Sequence, residues 1–157
     1  MKAIRWIIAA AALAFVLPPA AEAATTDPEV IIYRFPGVTD DGSAANVGVA
    51  TVFHCTNFSG AIETLRFVTR GSDNTLVSNE TIGINHLVTL AVGTHANLAY
   101  VLHKNLNIGG FVQGTTAIAA TSTNIICTAM TIDAANSKPV GVALRGIRFS
   151  PVPGSQE

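Results

Sequence analysis

Residues 47–57 read VGVATVFHCTN; the odd positions are Val47, Val49, Thr51, Phe53 and Cys55, and the even ones Gly48, Ala50, Val52, His54 and Thr56. Successive side chains of a strand point to opposite faces, so this period of two turns Val47, Val49, Phe53 and Cys55 toward a core. The even face is small and partly polar, which suits partial cover by solvent. The stretch predicts a strand that buries one face, ended by a turn at 57–61 (NFSGA).

The cysteine on that strand has one candidate partner. Cys127 lies 72 positions further on, inside a second strand-like run, Ile125-Ile126-Cys127-Thr128. Two cysteines in an exported chain pair more often than they stay free. A Cys55–Cys127 bridge closing a loop of that length contributes roughly 4 kcal/mol in the chain-entropy picture. Redox cysteines sit close together as C-x-x-C, and these do not.

Outward from this pair, residues 30–35 form a first strand that Pro36-Gly37 stops, and 39–45 (TDDGSAA) carry turn chemistry. From Glu63 to Arg70 the chain alternates, with Leu65 and Phe67 inward and Thr64, Arg66 and Arg70 outward. Gly71-Ser72-Asp73-Asn74 then turns it, so 62–82 reads as a hairpin. Ile82, Ile84, His86, Val88 and Leu90 share one face of a further run. Residues 96–104 (ANLAYVLHK) admit two readings, two helical turns or a short strand at 100–102, and Gly109-Gly110 marks a turn or bulge. Strands at 117–120, 124–133 and 140–149 close the set. In the last, apolar parity shifts from Val142 and Leu144 to Ile147 and Phe149; an extra residue at Arg145-Gly146 restores it as a β-bulge. Roughly seven to nine short strands without a long helix predict an all-β fold, an antiparallel β-sandwich immunoglobulin-like in architecture. A small closed β-barrel is the alternative.

Lys2 and Arg5 flank an apolar run, WIIAAAALAFVL (6–17), and Pro18-Pro19 breaks any helix. Ala21-Glu22-Ala23 offers small residues where a signal peptidase needs them, so 1–23 read as a signal peptide cut between Ala23 and Ala24. The run falls short of the roughly 20 residues that cross a bilayer, and nothing downstream stops transfer. The expectation is a single β-rich domain over 24–157 with a short C-terminal tail at 150–157. It is exported to the periplasm or beyond the cell and keeps no integral membrane segment after cleavage. Without the leader 134 residues remain, with seven basic and nine acidic groups, enough for one core. That balance does not suggest nucleic acid or an anionic membrane as partner. Charged residues make up 12% of the chain, about half the usual share. Seventeen threonines, with asparagine and serine, must keep the surface wet.

The runs GVATVFHCTNFSG (48–60), GTTAIAATSTNIICTAMTIDA (114–134) and GVALRGIRFSPVPGSQE (141–157) resemble a family of small exported bacterial proteins of undescribed function, with a disulfide-containing β-domain. The resemblance spans most of the chain after the leader. It implies a bacterial source and carries over no functional residue.

Chemistry has few footholds. His54, His86, His95 and His103 are the candidates for metal or acid–base work, but no H-x-H or H-E-x-x-H occurs. Zinc wants three or four ligands, often two at close spacing; His95 and His103 flank the 96–104 segment and give a metal set only by converging with His86 as a third, while His54 and His86 lie in strands, where packing or surface roles are commoner. Copper also favours thioethers, and Met130 is the one methionine past the leader. No G-x-S-x-G nucleophile motif is present; Gly71-Ser72-Asp73 and Asp41-Gly42-Ser43 read as turns. Most acids, including Asp27, Glu29, Asp40, Asp41, Asp73 and Glu157, fall in turns or ends, leaving few to pair as glycosidases require. Calcium at Asp40-Asp41 with Asp73 lacks EF-hand spacing. Asn57-Phe58-Ser59 and Asn79-Glu80-Thr81 match the glycan acceptor sequon, a chance occurrence in a bacterial chain. The expectation is a non-catalytic exported domain without a cofactor. It binds a protein or cell-envelope component or associates with itself, using exposed strand positions such as Val52 and Val68. A periplasmic metal- or ligand-binding protein using His86, His95 and His103, and a hydrolase without a known motif, are the alternatives.

Overall fold

The computed structural model describes residues 29–42 and 44–149. The predicted leader, its Ala23–Ala24 cut and the tail 150–157 lie outside the described residues. Ten strands follow in order: β1 (Val30–Asp40), β2 (Val49–Asn57), β3 (Glu63–Gly71), β4 (Leu76–Ile84), β5 (Thr89–Gly93), β6 (Lys104–Asn105), β7 (Phe111–Ala120), β8 (Ile125–Asp133), β9 (Gly141–Leu144) and β10 (Ile147–Arg148). They form two five-stranded sheets, β10-β1-β7-β3-β4 (sheet A) and β6-β5-β2-β8-β9 (sheet B). The pairings are antiparallel except for the short contact of β5 with β6. The fold is a β-sandwich, not a closed barrel.

The alternation in β2 builds the core. Phe53 reaches across to sheet A and meets Phe35 edge-on at 5.6 Å and Phe67 at 5.7 Å between ring centroids. Ile32, Leu65, Ile84, Ile118 and Ile125 complete this layer. Cys55 and Cys127 sit opposite each other in the β2–β8 register, with Cα atoms 4.1 Å apart, and are bridged. The disulfide thus joins neighbouring strands within one sheet, on its inner face, rather than crossing between sheets as in antibody domains.

Several expectations are corrected. β1 does not stop at Pro36-Gly37 but continues to Asp40 with irregular register against β7. β10 pairs β1 only at Tyr33 and Arg34, so Pro36 lies where no second neighbour needs its missing N–H. The run from Ile82 to Leu90 is not one strand. It turns at 85–88, where Leu87 takes φ 59°, and passes from sheet A to sheet B. The parity shift at Arg145-Gly146 is no bulge: β9 belongs to sheet B and β10 to sheet A, so the chain changes sheets there. Leu144 packs on the core, whereas Val142 is 71% exposed and Ile147, paired with the outward-facing Arg34, is 40% exposed, so the shift in parity does not mark two inward faces. Gly146 is required at that crossing, because a Cβ on it would lie 2.4 Å from Cε1 of Phe35.

The segment 94–103 is neither helix nor strand. It runs as a strap over the outer face of sheet B, where Ala99, Tyr100 and Leu102 pack on Ala50, Val52, Ala91 and Ile132. Val52, expected on the surface, is therefore fully buried, while Val68 is half-buried on sheet A. Val47, expected inward, precedes β2 and is 51% exposed.

Candidate functional site

The four histidines go to four different places. His54 points from β2 to the outer face, half-buried, edge-on to Tyr100 of the strap at 4.6 Å. Desolvation by that burial lowers its pKa below the ordinary imidazole value, because burial disfavours the charged form. His86 is exposed, and its Nδ1 accepts the Gly60 N–H at 3.0 Å. His103, also exposed, accepts the Ala91 N–H on Nδ1 at 3.1 Å. His95 is buried and, among the described residues, makes the one contact between a histidine and a carboxylate: its Nδ1 lies 2.7 Å from Oδ2 of Asp40. Among the described residues, no group of three His, Cys, Asp or Glu side chains is placed to hold a metal ion; His86, His95 and His103 each bind separate partners.

The Asp40–His95 pair is built by three converging segments. β1 ends at Asp40, whose Oδ1 accepts the Gly42 N–H at 2.8 Å. The Asn46 N–H bonds the Ala96 carbonyl at 2.9 Å, drawing the 44–48 loop to the start of the strap. Beneath them, the Thr51 hydroxyl accepts from the Thr39 N–H and donates to the Thr39 carbonyl, and the Thr51 N–H reaches the Thr94 hydroxyl at 3.0 Å. The loops close tightly: a Cβ on Gly42, at φ +72°, would lie 2.6 Å from Cα of Gly110. A depression of about 240 Å³ opens above, lined by Asp40, Ala45, His95, Asn105 and Asn107.

That geometry limits the chemistry. His95 Nε2 lies 3.1 Å from the Val47 carbonyl, which can only accept, so Nε2 carries a proton. Nδ1 faces a carboxylate. Both ring nitrogens are thus engaged by partners within the chain. The pair is a clamp joining the end of β1 to the strap. Sequence reading placed Asp40 in a turn and missed it as the partner of His95; the two lie 55 positions apart, and no local signal links them.

Other candidates resolve locally. The Asn57 amide is buried and donates to the carbonyls of Ala61 and Ile84, so the first sequon is engaged in holding a corner. Asn79 is exposed on β4. Asp73 is tied up by the Thr75 hydroxyl and N–H, which lower its pKa. Glu63 is lowered first by the Thr121 hydroxyl and then by Ser59.

The strap is the feature that sequence reading left open. Its backbone is fastened by Leu98 N–H to the Ala134 carbonyl at 2.9 Å, by His103 N–H to the Ala91 carbonyl at 2.8 Å, and by Tyr100 N–H to Oδ1 of Asn97 at 2.8 Å. Leu98 nevertheless stands 53% exposed and Val101 90% exposed. No protein-family model, curated protein or solved structure matches the chain.

Proposed function

We infer that the chain is an exported, non-catalytic contact domain of a bacterial cell envelope, and that the strap over sheet B is its contact surface for a protein partner or a second copy. The observation that carries this reading is the rigid display of Leu98 and Val101. A segment pinned to the body by the Leu98 and His103 N–H groups, and braced internally by Tyr100 N–H to the Asn97 side chain, holds both side chains toward solvent instead of folding them away. Ordering that backbone costs entropy, and a fixed surface loses less on binding than a mobile one. Export is supported by the leader-like 1–23 and is compatible with the Cys55–Cys127 bridge, which persists in oxidising compartments. Against catalysis stands the Asp40–His95 clamp, with both ring nitrogens committed.

Photo-crosslinking from position 101 in intact envelopes, with position 138 as control, tests the reading. One discrete adduct at 101 and none at 138 is the expected result. A chain that stays monomeric in light scattering at all concentrations and gives no adduct at 101 overturns it.

A further inference from the structure

We propose that the outer face of sheet A, around Arg70, binds the carboxylate groups of an acidic polysaccharide. Strand register sets the face. Arg34, Ala117 and Val68 form one outward row, Ile31, Ala119 and Arg66 the next, and Pro36, Thr115 and Arg70 the row on the other side. Three of the chain's nine basic groups therefore share this face in a chain of net charge −1. Among the described residues of the five strands, no Asp or Glu occupies an outward position in these rows. Among the described residues, Glu29, just before β1, is the carboxylate paired with this face, and Asp73 stands in the turn after Arg70. Oε2 of Glu29 lies 2.6 Å from Nε of Arg66, so the Arg66 side chain crosses β7 above Ala119, which the small residue there permits.

Arg34 and Arg70 remain exposed on either side of β7. They are two strands and two residues apart, about 12 Å from strand spacing and rise. Such a separation suits an extended polymer with repeated charges better than one small acid. Arg34 lies with its guanidinium carbon 5.5 Å from the Phe149 ring centroid, so its planar group is already ordered. Arg70 donates from Nη1 to the Asn74 carbonyl at 2.9 Å, which fixes the fork beside an open depression of about 380 Å³. Its lining includes Pro36, Ser72, Asn74, Gln113 and Thr115 and no carboxylate. A guanidinium pairs a carboxylate through two parallel hydrogen bonds. Hydroxyl and amide side chains around it match the hydroxyls of a sugar ring. Among the described residues, the aromatic ring beside this face is Phe149, which is half-buried against Arg34 rather than standing free as a ring anchored at a bilayer interface would.

The proposal rests on reading the chain as an exported contact domain but uses a surface other than the strap. The probe is polygalacturonate, titrated against the full processed chain by calorimetry in low salt. Binding should weaken roughly tenfold in R70Q and further in R34Q/R70Q, at the scale of a charged hydrogen bond. R70K should retain part of it, since the charge remains and the fork is lost. K138Q and V101D should bind as the parent does, and neutral dextran should not bind. Unchanged V101D binding separates this site from the strap, so either reading can fail alone. No binding to polygalacturonate, an R70Q or R34Q affinity equal to the parent, or binding to phosphatidylglycerol vesicles in its place overturns the proposal.

Discussion

Asp40 is almost fully buried and His95 nearly so, and removing one partner of such a pair leaves the other uncompensated. His95→Ala should cost about 3–5 kcal/mol in urea unfolding at pH 7. Adding Asp40→Asn should recover part of it, because an amide is cheaper to bury than a carboxylate. A single variant as stable as the parent would sink the clamp. His54 gives the pH prediction. Its folded pKa is lowered by desolvation, so below the unfolded value of about 6.5 the unfolded chain binds the extra proton. Its stabilising contribution is therefore complete above that value and fades as pH falls toward the folded one. His54→Gln should flatten the fall of Tm just below pH 6.5 relative to the parent; identical pH profiles would contradict it. The inward set Phe53 and Cys55 was legible from spacing alone. The Asp40–His95 contact was not, because strand periodicity assigns a face and says nothing of which distant loop arrives there.

Among elements, the β9–β10 crossing and the strap carry the tests. Gly146→Ala places a methyl against the Phe35 ring and should destabilise by about 1–3 kcal/mol as overpacking, measured by chemical denaturation. Val101→Asp should change stability by less than about 0.5 kcal/mol, since the side chain is exposed, while removing the position-101 contact; a large loss of stability would mean the strap packs more closely than it does here. The hairpin of β3 and β4 was readable because Gly71 to Asn74 supply a turn at φ 68° on Asn74 between two alternating runs. The strap was not, since ANLAYVLHK has apolar residues at spacings that suit helix and strand alike. Its form is decided by Tyr100 and Leu102 seating on Ala50 and Val52, and by the Ala91 and Ala134 carbonyls that receive its N–H groups.

At the scale of the molecule, the bridge within sheet B closes a 72-residue separation. C55A/C127A should lose roughly 4 kcal/mol and on the order of 15 °C in Tm, with the two sheets still formed. Reduction of the parent should reproduce that shift, and a variant melting with the oxidised parent would show the link adds nothing. The two sheets are also tied by Thr39 of β1 to Thr51 of the central strand β2, and at the β4–β6 margin by Lys104 to Glu80 at 2.7 Å.

By itself the sequence determined the all-β class, most strand positions and the pairing of the two cysteines, because period-two patterning, turn residues and cysteine count are local or nearly so. Which sheet each strand joins, the change of sheet at Gly146, the burial of Val52 and the meeting of Asp40 with His95 were decided only by the tertiary structure. Each depends on which surface packs against which, and a face that reads as solvent-facing along one strand becomes interior once a remote segment lies over it.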